Sequence, residues 1–132
     1  MRNKIEKIFV TICSIKVQKK DGSVETISDQ EETYELLELR DKIKLLLETE
    51  LEEGEYTHIM ICVCKVTIIH NGVTYEITIT PCYEVKIPVS FHIRRNRTTE
   101  VVLDFEADHS IGIGPLGQFI FTPVISLKRI TH

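Results

Sequence analysis

The stretch that decides the fold is TTEVVLDFEADHSIGIGPLGQFIFTPVISLK, residues 98–128. Glu100–Ala107 alternates strictly between two faces, and Gln118–Leu127 is dense in Phe, Ile and Val. A period of two indicates β-strands with one buried face, so we predict two strands flanking a glycine-rich turn. The predicted inner face comprises Val101, Leu103, Phe105 and Ala107, and the other face comprises Val102, Asp104, Glu106 and Asp108.

The upstream sequence predicts further strands that pack on this pair. The predicted segments are Ile5–Val17, Val24–Ser28, Tyr56–His70, Val73–Thr80, Val85–Ile87 and Val89–Ile93. The apolar phase slips near Cys13, which predicts a β-bulge, and Pro81 is expected to end a strand. Asp21-Gly22 and Asn71-Gly72 suit type I′ hairpin turns. About eight short strands predict an all-β, two-sheet sandwich, immunoglobulin-like or transthyretin-like, with Greek-key connections.

Length and composition favour one globular domain over residues 1–132. The chain is 42% hydrophobic and 27% charged, an ordinary balance for a folded domain. Its formal net charge of -4 argues against nucleic acid as the main partner, because phosphate binding needs a basic face. No apolar run reaches the roughly 20 residues of a membrane span. Residues 1–7 lack the apolar core of a signal peptide, which alone favours a cytosolic location.

Four cysteines, Cys13, Cys62, Cys64 and Cys82, leave two interpretations open. The C-x-C spacing at 62–64 is not the C-x-x-C of zinc or thioredoxin sites. Cys62 and Cys64 share a strand face, and a bridge between them would be strained. Either Cys13 or Cys82 reaches one of them across strands as a disulfide, or all four stay reduced and pack as hydrophobes.

The sequence contains weak candidate sites and no assembled catalytic set. Asp104, Glu106 and Asp108 are weak calcium ligands, since a straight strand spreads them about 6–7 Å apart; the alternative is a solvated face. Residues 112–117 spell G-x-G-x-x-G, but a predicted strand follows, so we expect a turn and no dinucleotide cofactor. A basic cluster fits either a contact with an anionic glycan or a charged hairpin tip, and it comprises Arg94, Arg95 and Arg97.

Four segments in order resemble the domain of unknown function 4382 family. They are LEEGEYTHI at 51–59, VKIPVSF at 85–91, VLDFEADHS at 102–110 and FIFTPVI at 119–125. The resemblance covers roughly Ile8–Ile130, and its motifs are specific as an ordered set. The family occurs in exported bacterial and archaeal proteins, often lipoproteins. In that family, the region that matches residues 30–53 forms a strand and then a helical turn, whereas the periodicity of these residues alone favours a helix. We therefore expect extended chain through Leu39 and one short helix over about Asp41–Glu48.

The resemblance implies a non-enzymatic extracellular or cell-surface module, with a structural, adhesion or binding role. Its expected partners are a glycan or cell-envelope component and further copies of the chain. The alternative is a metal-dependent carbohydrate-binding module, or an enzyme, using Asp104, Glu106 and Asp108. An extracellular location follows from the resemblance alone.

The resemblance also predicts self-assembly by strand addition. Family members begin with a strand ahead of the segment matching Ile8–Val17, and residues 1–7 show no alternation long enough to form it. A missing strand exposes a sheet edge that accepts a strand from another chain. The expected donors are Met1–Lys7 or Ser126–His132, giving a filament or a reciprocal dimer. The alternative is a monomer whose edges are blunted by Pro81 and Pro88.

Overall fold

The computed structural model describes residues 5–36, 42–47, 51–94, 98–106 and 111–131, and within them the chain is all-β. This confirms the predicted fold class. Ten strands follow one another along the chain. They are β1 (Ile5–Lys19), β2 (Val24–Ser28), β3 (Glu32–Glu35), β4 (Lys42–Leu47), β5 (Gly54–His70), β6 (Val73–Ile93), β7 (Thr99–Phe105), β8 (Ile111–Ile113), β9 (Phe119–Phe121) and β10 (Ile125–Thr131).

The strands form three antiparallel sheets. The large sheet has the order β2-β1-β5-β6, and β3 pairs with β1 next to β2, on the same side of β1. A second sheet has the order β10-β7-β4, with Phe105 opposite Ile125. Strands β8 and β9 form a separate hairpin. Because every pairing is antiparallel, neighbouring strands can be joined by short turns rather than crossover helices.

One hydrophobic core joins the large sheet to the second sheet, as expected for a sandwich-like arrangement. Alternate residues of β1, β5 and β6 supply one wall, and β7 with Ile125 of β10 supplies the other. Three predicted inner-face residues of β7, Val101, Leu103 and Phe105, are fully buried, and Ala107 lies outside the described residues. Val102, which was predicted on the other face, is buried as well, at 5% exposed. Period-two alternation therefore identified the inner face but not the burial of Val102 on the other face.

The short helix predicted over Asp41–Glu48 is wrong. Residues Lys42–Leu47 form β4, which pairs with β7 from Lys42 opposite Asp104 to Leu47 opposite Thr99. The leucine-rich pattern suits a helix in isolation, but pairing with a buried strand overrides that local preference. The extended chain predicted through Leu39 is described as far as β3 and Leu36, and residues 37–41 lie outside the described ranges.

Two further differences between the predicted and the observed strands occur near prolines. Pro81 does not end a strand, since β6 runs from Val73 to Ile93, but it lies where the register against β5 shifts from Lys65–Thr78 to Val63–Tyr83. A strand at the edge of a sheet tolerates residues that lack an N–H group. The segment Gln118–Leu127, by contrast, is two strands rather than one, since Thr122-Pro123-Val124 separates β9 from β10. β10 and not β9 pairs with β7.

The two predicted hairpin turns differ in their backbone. Asn71 and Gly72 both have positive φ, 52° and 75°, as a type I′ turn requires. At the other turn only Gly22 has positive φ, at 94°, so Asp21-Gly22 is not type I′. Asp21 instead accepts hydrogen bonds from the backbone N–H and the hydroxyl of Ser23. An aspartate side chain that accepts a hydrogen bond from the backbone two residues further on is a common arrangement in turns.

A buried tyrosine fixes the segment that precedes β5. Tyr56 is 1% exposed, and its hydroxyl can donate to Glu25 Oε2 at 3.1 Å or to the backbone carbonyl oxygen of Glu52. Lys19 Nζ lies 3.2 Å from Glu52 Oε1 on the same segment. Burial first, and then the hydrogen bond to Glu25, raise the pKa of Tyr56 well above its usual value. The native state therefore holds this hydroxyl proton more tightly than the unfolded chain does.

The raised pKa predicts a loss of stability at alkaline pH. Burial and Glu32 likewise raise the pKa of Tyr34. An unfolded tyrosine ionises near pH 10, so both contributions are complete below about pH 10 and fall as the pH rises beyond it. Chemical denaturation between about pH 9 and pH 11 should show this fall, and it should shrink in the Tyr34→Phe/Tyr56→Phe double variant. A free energy of unfolding that is level over this range would contradict the assignment.

Candidate functional site

Two irregularities in the pairing of β1 with β5 bring cysteines together on the outer face of the large sheet. The register passes from Thr11–Lys65 to Ile12–Val63 and then to Ser14–Cys62. Cys64 and Cys13 are therefore the extra residues of two adjacent bulges, and the bulge predicted near Cys13 is confirmed. The bulges allow both side chains to turn toward each other across the strands.

All four cysteines are joined across strands as disulfides. Cys13 of β1 pairs with Cys64 of β5, with Cα atoms 6.0 Å apart, and Cys62 of β5 pairs with Cys82 of β6 at 5.6 Å. Both Cα separations lie in the usual range for a disulfide. Since β5 takes part in both bonds, three consecutive strands of the sheet are linked covalently.

The surroundings of the disulfides are apolar and hydroxyl-rich. Met60 and Thr11 on the same face are 8% and 7% exposed, and Thr11 Oγ1 lies 2.9 Å from Thr33 Oγ1. The cysteines are half-buried, and the nearby Lys65 is directed to Glu76, with Nζ 3.6 Å from its carboxylate. With its sulfurs bonded in pairs, this face presents no thiolate, which is the nucleophilic and metal-binding form of cysteine. Its chemistry is that of a structural brace.

The candidate acidic residues do not form a described metal centre. Asp104 is half-buried in β7, opposite Ser126 of β10 and Lys42 of β4. Glu106 follows the strand, and its backbone N–H donates to the carbonyl of Val124 at 2.9 Å. Asp108 lies outside the described residues. Among residues that are described, no group of three or more His, Cys, Asp or Glu side chains is arranged to hold a metal ion.

The G-x-G-x-x-G segment is the turn of the β8–β9 hairpin. The Gly114 N–H donates to the carbonyl of Gln118 at 2.7 Å, and the Gly117 N–H donates to Gly114 at 3.0 Å. Gly117 has a φ of 79°, and a Cβ on Gly114 would lie 2.4 Å from the Gln118 side chain. The predicted turn is confirmed. A dinucleotide loop requires a helix here, whose N-terminus holds the phosphates, and β9 occupies that place.

The large sheet ends in β6, an edge strand of 21 residues. β6 is hydrogen-bonded to β5 on one side, and among the described strands none pairs with its other side. Sequence reasoning missed this edge because Pro81 divided the strand into pieces. The alternation of residues 73–93 across both prolines was the signal that identified one continuous strand.

The described parts of the two predicted strand donors lie within the chain's own sheets. Ile5 and Lys7 belong to β1, opposite His70 and Ile69 of β5. The described part of 126–132 belongs to β10 and pairs with β7. Arg94 of the basic cluster is exposed, while Arg95 and Arg97 lie outside the described residues.

The part of the chain that the structure describes contains no helix long and apolar enough to cross a bilayer. No curated protein and no solved structure shows significant similarity to the chain. The family model described as Domain of unknown function (DUF4382) matches residues 2–123. That match includes every described strand except β10, and it includes all four disulfide-bonded cysteines. The chain therefore belongs to the DUF4382 family.

Proposed function

We propose that this chain is a non-enzymatic extracellular or cell-surface module with a structural, adhesive or binding role, which self-associates by β-strand addition. The observation that supports an extracellular site most strongly is the pairing of all four cysteines in two disulfides. Structural disulfides persist in oxidising compartments and are rare where glutathione keeps thiols reduced. A sheet braced in this way suits a module exposed outside the cell.

The proposed non-enzymatic role rests on the use of the polar residues in the described fold. Asp104 is a member of a paired strand, and the glycine-rich segment closes a hairpin. Tyr56 and Glu25 are engaged in holding the segment before β5. These residues serve the fold, whereas a catalytic site needs a nucleophile or base directed at a space where substrate can lie.

Self-association is supported by the length and openness of the β6 edge. A strand with unpaired N–H and C=O groups along one side is a template for another strand. The N–H groups of a strand point alternately to its two sides, so about half of the 21 residues direct their backbone groups away from β5. A register shift against β5 between Thr78 and Tyr83 divides this edge into two parts, each long enough to pair with a strand of ordinary length.

The location is tested by surface labelling of intact cells that produce the chain. A membrane-impermeant amine reagent should label exposed lysines such as Lys86 before lysis, whereas a cytosolic marker protein is labelled only afterwards. Labelling confined to lysed cells would refute the extracellular site.

A calcium titration of the purified protein adds a second test. A calcium-dependent rise in melting temperature that is lost in Asp104→Asn would favour the metal-dependent alternative instead.

A further inference from the structure

The tip of the β8–β9 hairpin is apolar and exposed. Leu116 in the turn is 92% exposed, and Ile113 at the end of β8 is 66% exposed. Ile120, on the other face of the hairpin, is 47% exposed. The sequence contains no Asp, Glu, Lys, Arg or His from residue 110 to residue 127. The tip therefore offers aliphatic side chains to its surroundings and no charge.

The backbone donors of this tip are already used within the hairpin. The Gly114 N–H donates to the Gln118 carbonyl at 2.7 Å, and the Leu116 N–H donates to Gln118 Oε1 at 3.0 Å. The Gly117 N–H donates to the Gly114 carbonyl at 3.0 Å, and Pro115 has no N–H. Each backbone donor of the turn is thus satisfied without water. A chain that enters a bilayer needs this property, because an unpaired N–H is costly in hydrocarbon.

The exposed apolar surface continues from the hairpin onto the start of β6. Phe119 lies opposite Ile113, and its ring meets the ring of Tyr75 at a centroid distance of 5.0 Å. Val73 lies two residues before Tyr75 on the same side of β6, and these side chains are 50% and 40% exposed. The hairpin and this strand end carry five of the seven large hydrophobic side chains that are exposed among the described residues, namely Val73, Tyr75, Ile113, Leu116 and Ile120.

The size of this surface favours a lipid bilayer over a protein partner. A stable protein–protein interface buries about 800 Å² on each partner and involves roughly 20–30 residues a side, of which five side chains supply a small part. A bilayer requires no matching surface, because each aliphatic side chain gains free energy by leaving water for the acyl chains. The tip extends about two residues, roughly 7 Å, beyond the Ile113–Phe119 pair, which suits shallow insertion.

We propose that the β8–β9 hairpin inserts Ile113, Leu116 and Ile120 into the interfacial region of a lipid bilayer, and so holds the folded domain against a membrane surface. Burial of apolar side chains drives the insertion. Attraction to anionic lipids does not, since the formal net charge is -4 and residues 110–127 contain no basic side chain. The inference goes beyond the proposed function, which concerns an extracellular location and strand addition at β6.

A tryptophan at the tip tests the insertion directly, because the chain itself contains none. In full-length oxidised Leu116→Trp, vesicles of phosphatidylcholine should shift the emission maximum to shorter wavelength, and brominated phosphatidylcholine should quench the emission. Val24→Trp places the same fluorophore at an exposed valine of β2, on the side of the large sheet opposite to β6, and should show neither change. Equal responses at both positions, or no response in Leu116→Trp, would overturn the proposal.

Charge substitution tests the driving force. Leu116→Asp should lower the partition coefficient into phosphatidylcholine vesicles by at least about tenfold, because an apolar side chain is lost from the inserted tip. Val24→Asp should leave the coefficient unchanged, and both variants should keep the wild-type melting temperature, since both positions are exposed. Wild-type binding should persist at about 1 M sodium chloride, which screens surface charges.

Two results would contradict apolar insertion. One is binding that requires anionic phosphatidylglycerol and is lost at high salt. The other is a wild type that ignores vesicles but forms oligomers that Leu116→Asp disperses, which would assign the tip to a second copy of the chain. Both results leave the surface labelling of cells unaffected, so failure of this proposal is distinguishable from failure of the proposed extracellular role.

Discussion

Replacing Phe105 by alanine is expected to lower the free energy of unfolding by about 4 kcal/mol. Phe105 is fully buried in β7, the central strand of the second sheet, and its ring stacks on Phe121 at a centroid distance of 6.1 Å. Removing the ring loses its burial and leaves a cavity between the two larger sheets, where surrounding strands relax only partly. Urea denaturation followed by circular dichroism measures the change.

The same substitution at a buried and at an exposed leucine separates the effect of burial on stability from the effect of the change in side chain. Leu103→Ala, at a fully buried position of β7, should cost about 3 kcal/mol, and Leu116→Ala, at a position 92% exposed in the hairpin turn, should cost well under 1 kcal/mol. A change below about 1 kcal/mol at both Phe105 and Leu103 would mean that the inner face of β7 is misassigned.

Removing the bond between Cys13 and Cys64 has the second large effect. The two residues are 51 apart in sequence, so the bond closes a long loop in the unfolded chain. Loop-closure entropy gives about 4 kcal/mol for a loop of this size, and Cys13→Ala/Cys64→Ala should lose about that much. Thermal and chemical unfolding of the oxidised variant under non-reducing conditions checks the value.

The second disulfide provides the matched control. Cys62 and Cys82 are 20 residues apart, so Cys62→Ala/Cys82→Ala should lose less, about 3 kcal/mol. Reduction of the wild type should reproduce the sum of both losses. Equal stability of the wild type with and without a reductant would contradict the bracing role of these bonds.

The inner faces of the strands were predictable because burial follows a period of two. Val10, Ile61 and Leu103 are all fully buried, as the alternation predicted. The bulge at Cys13 was predictable for the same reason, since an extra residue shifts that period visibly. The hairpin at Asn71-Gly72 followed from the positive φ that its two residues tolerate.

Pairing between distant segments was not predictable from local pattern. Residues 42–47 carry a leucine-rich pattern that suits a helix alone, and only the neighbouring β7 makes them a strand. The pairing of Cys13 with Cys64 depends on the register of β1 against β5, which two bulges alter. The continuity of β6 depended on its position at an edge, where Pro81 is tolerated.

The surroundings of the candidate metal-binding carboxylates were also not predictable from the local sequence pattern. Asp104 and Glu106 are two residues apart, as residues on one face of a strand are. The sequence pattern does not indicate which strands pair with that strand on its two sides. In the fold, β4 and β10 lie on either side of β7, and Asp104 is half-buried between Lys42 and Ser126. A pattern of carboxylates along a strand is therefore weak evidence for a metal site.

The most direct test of the account is peptide mapping of the disulfides in protein isolated from its native cell, with free thiols blocked before digestion. The account predicts two cross-linked peptide pairs, Cys13 with Cys64 and Cys62 with Cys82, and no blocked thiol. Because Cys62 and Cys64 are two residues apart, the chain must be cleaved between them to assign each bond. Partial acid hydrolysis can make that cut before mass spectrometry, and electron-transfer fragmentation can make it within the spectrometer. Blocked thiols at all four cysteines would contradict both the braced sheet and the proposed extracellular role, and a bond between Cys62 and Cys64 would contradict the braced sheet alone.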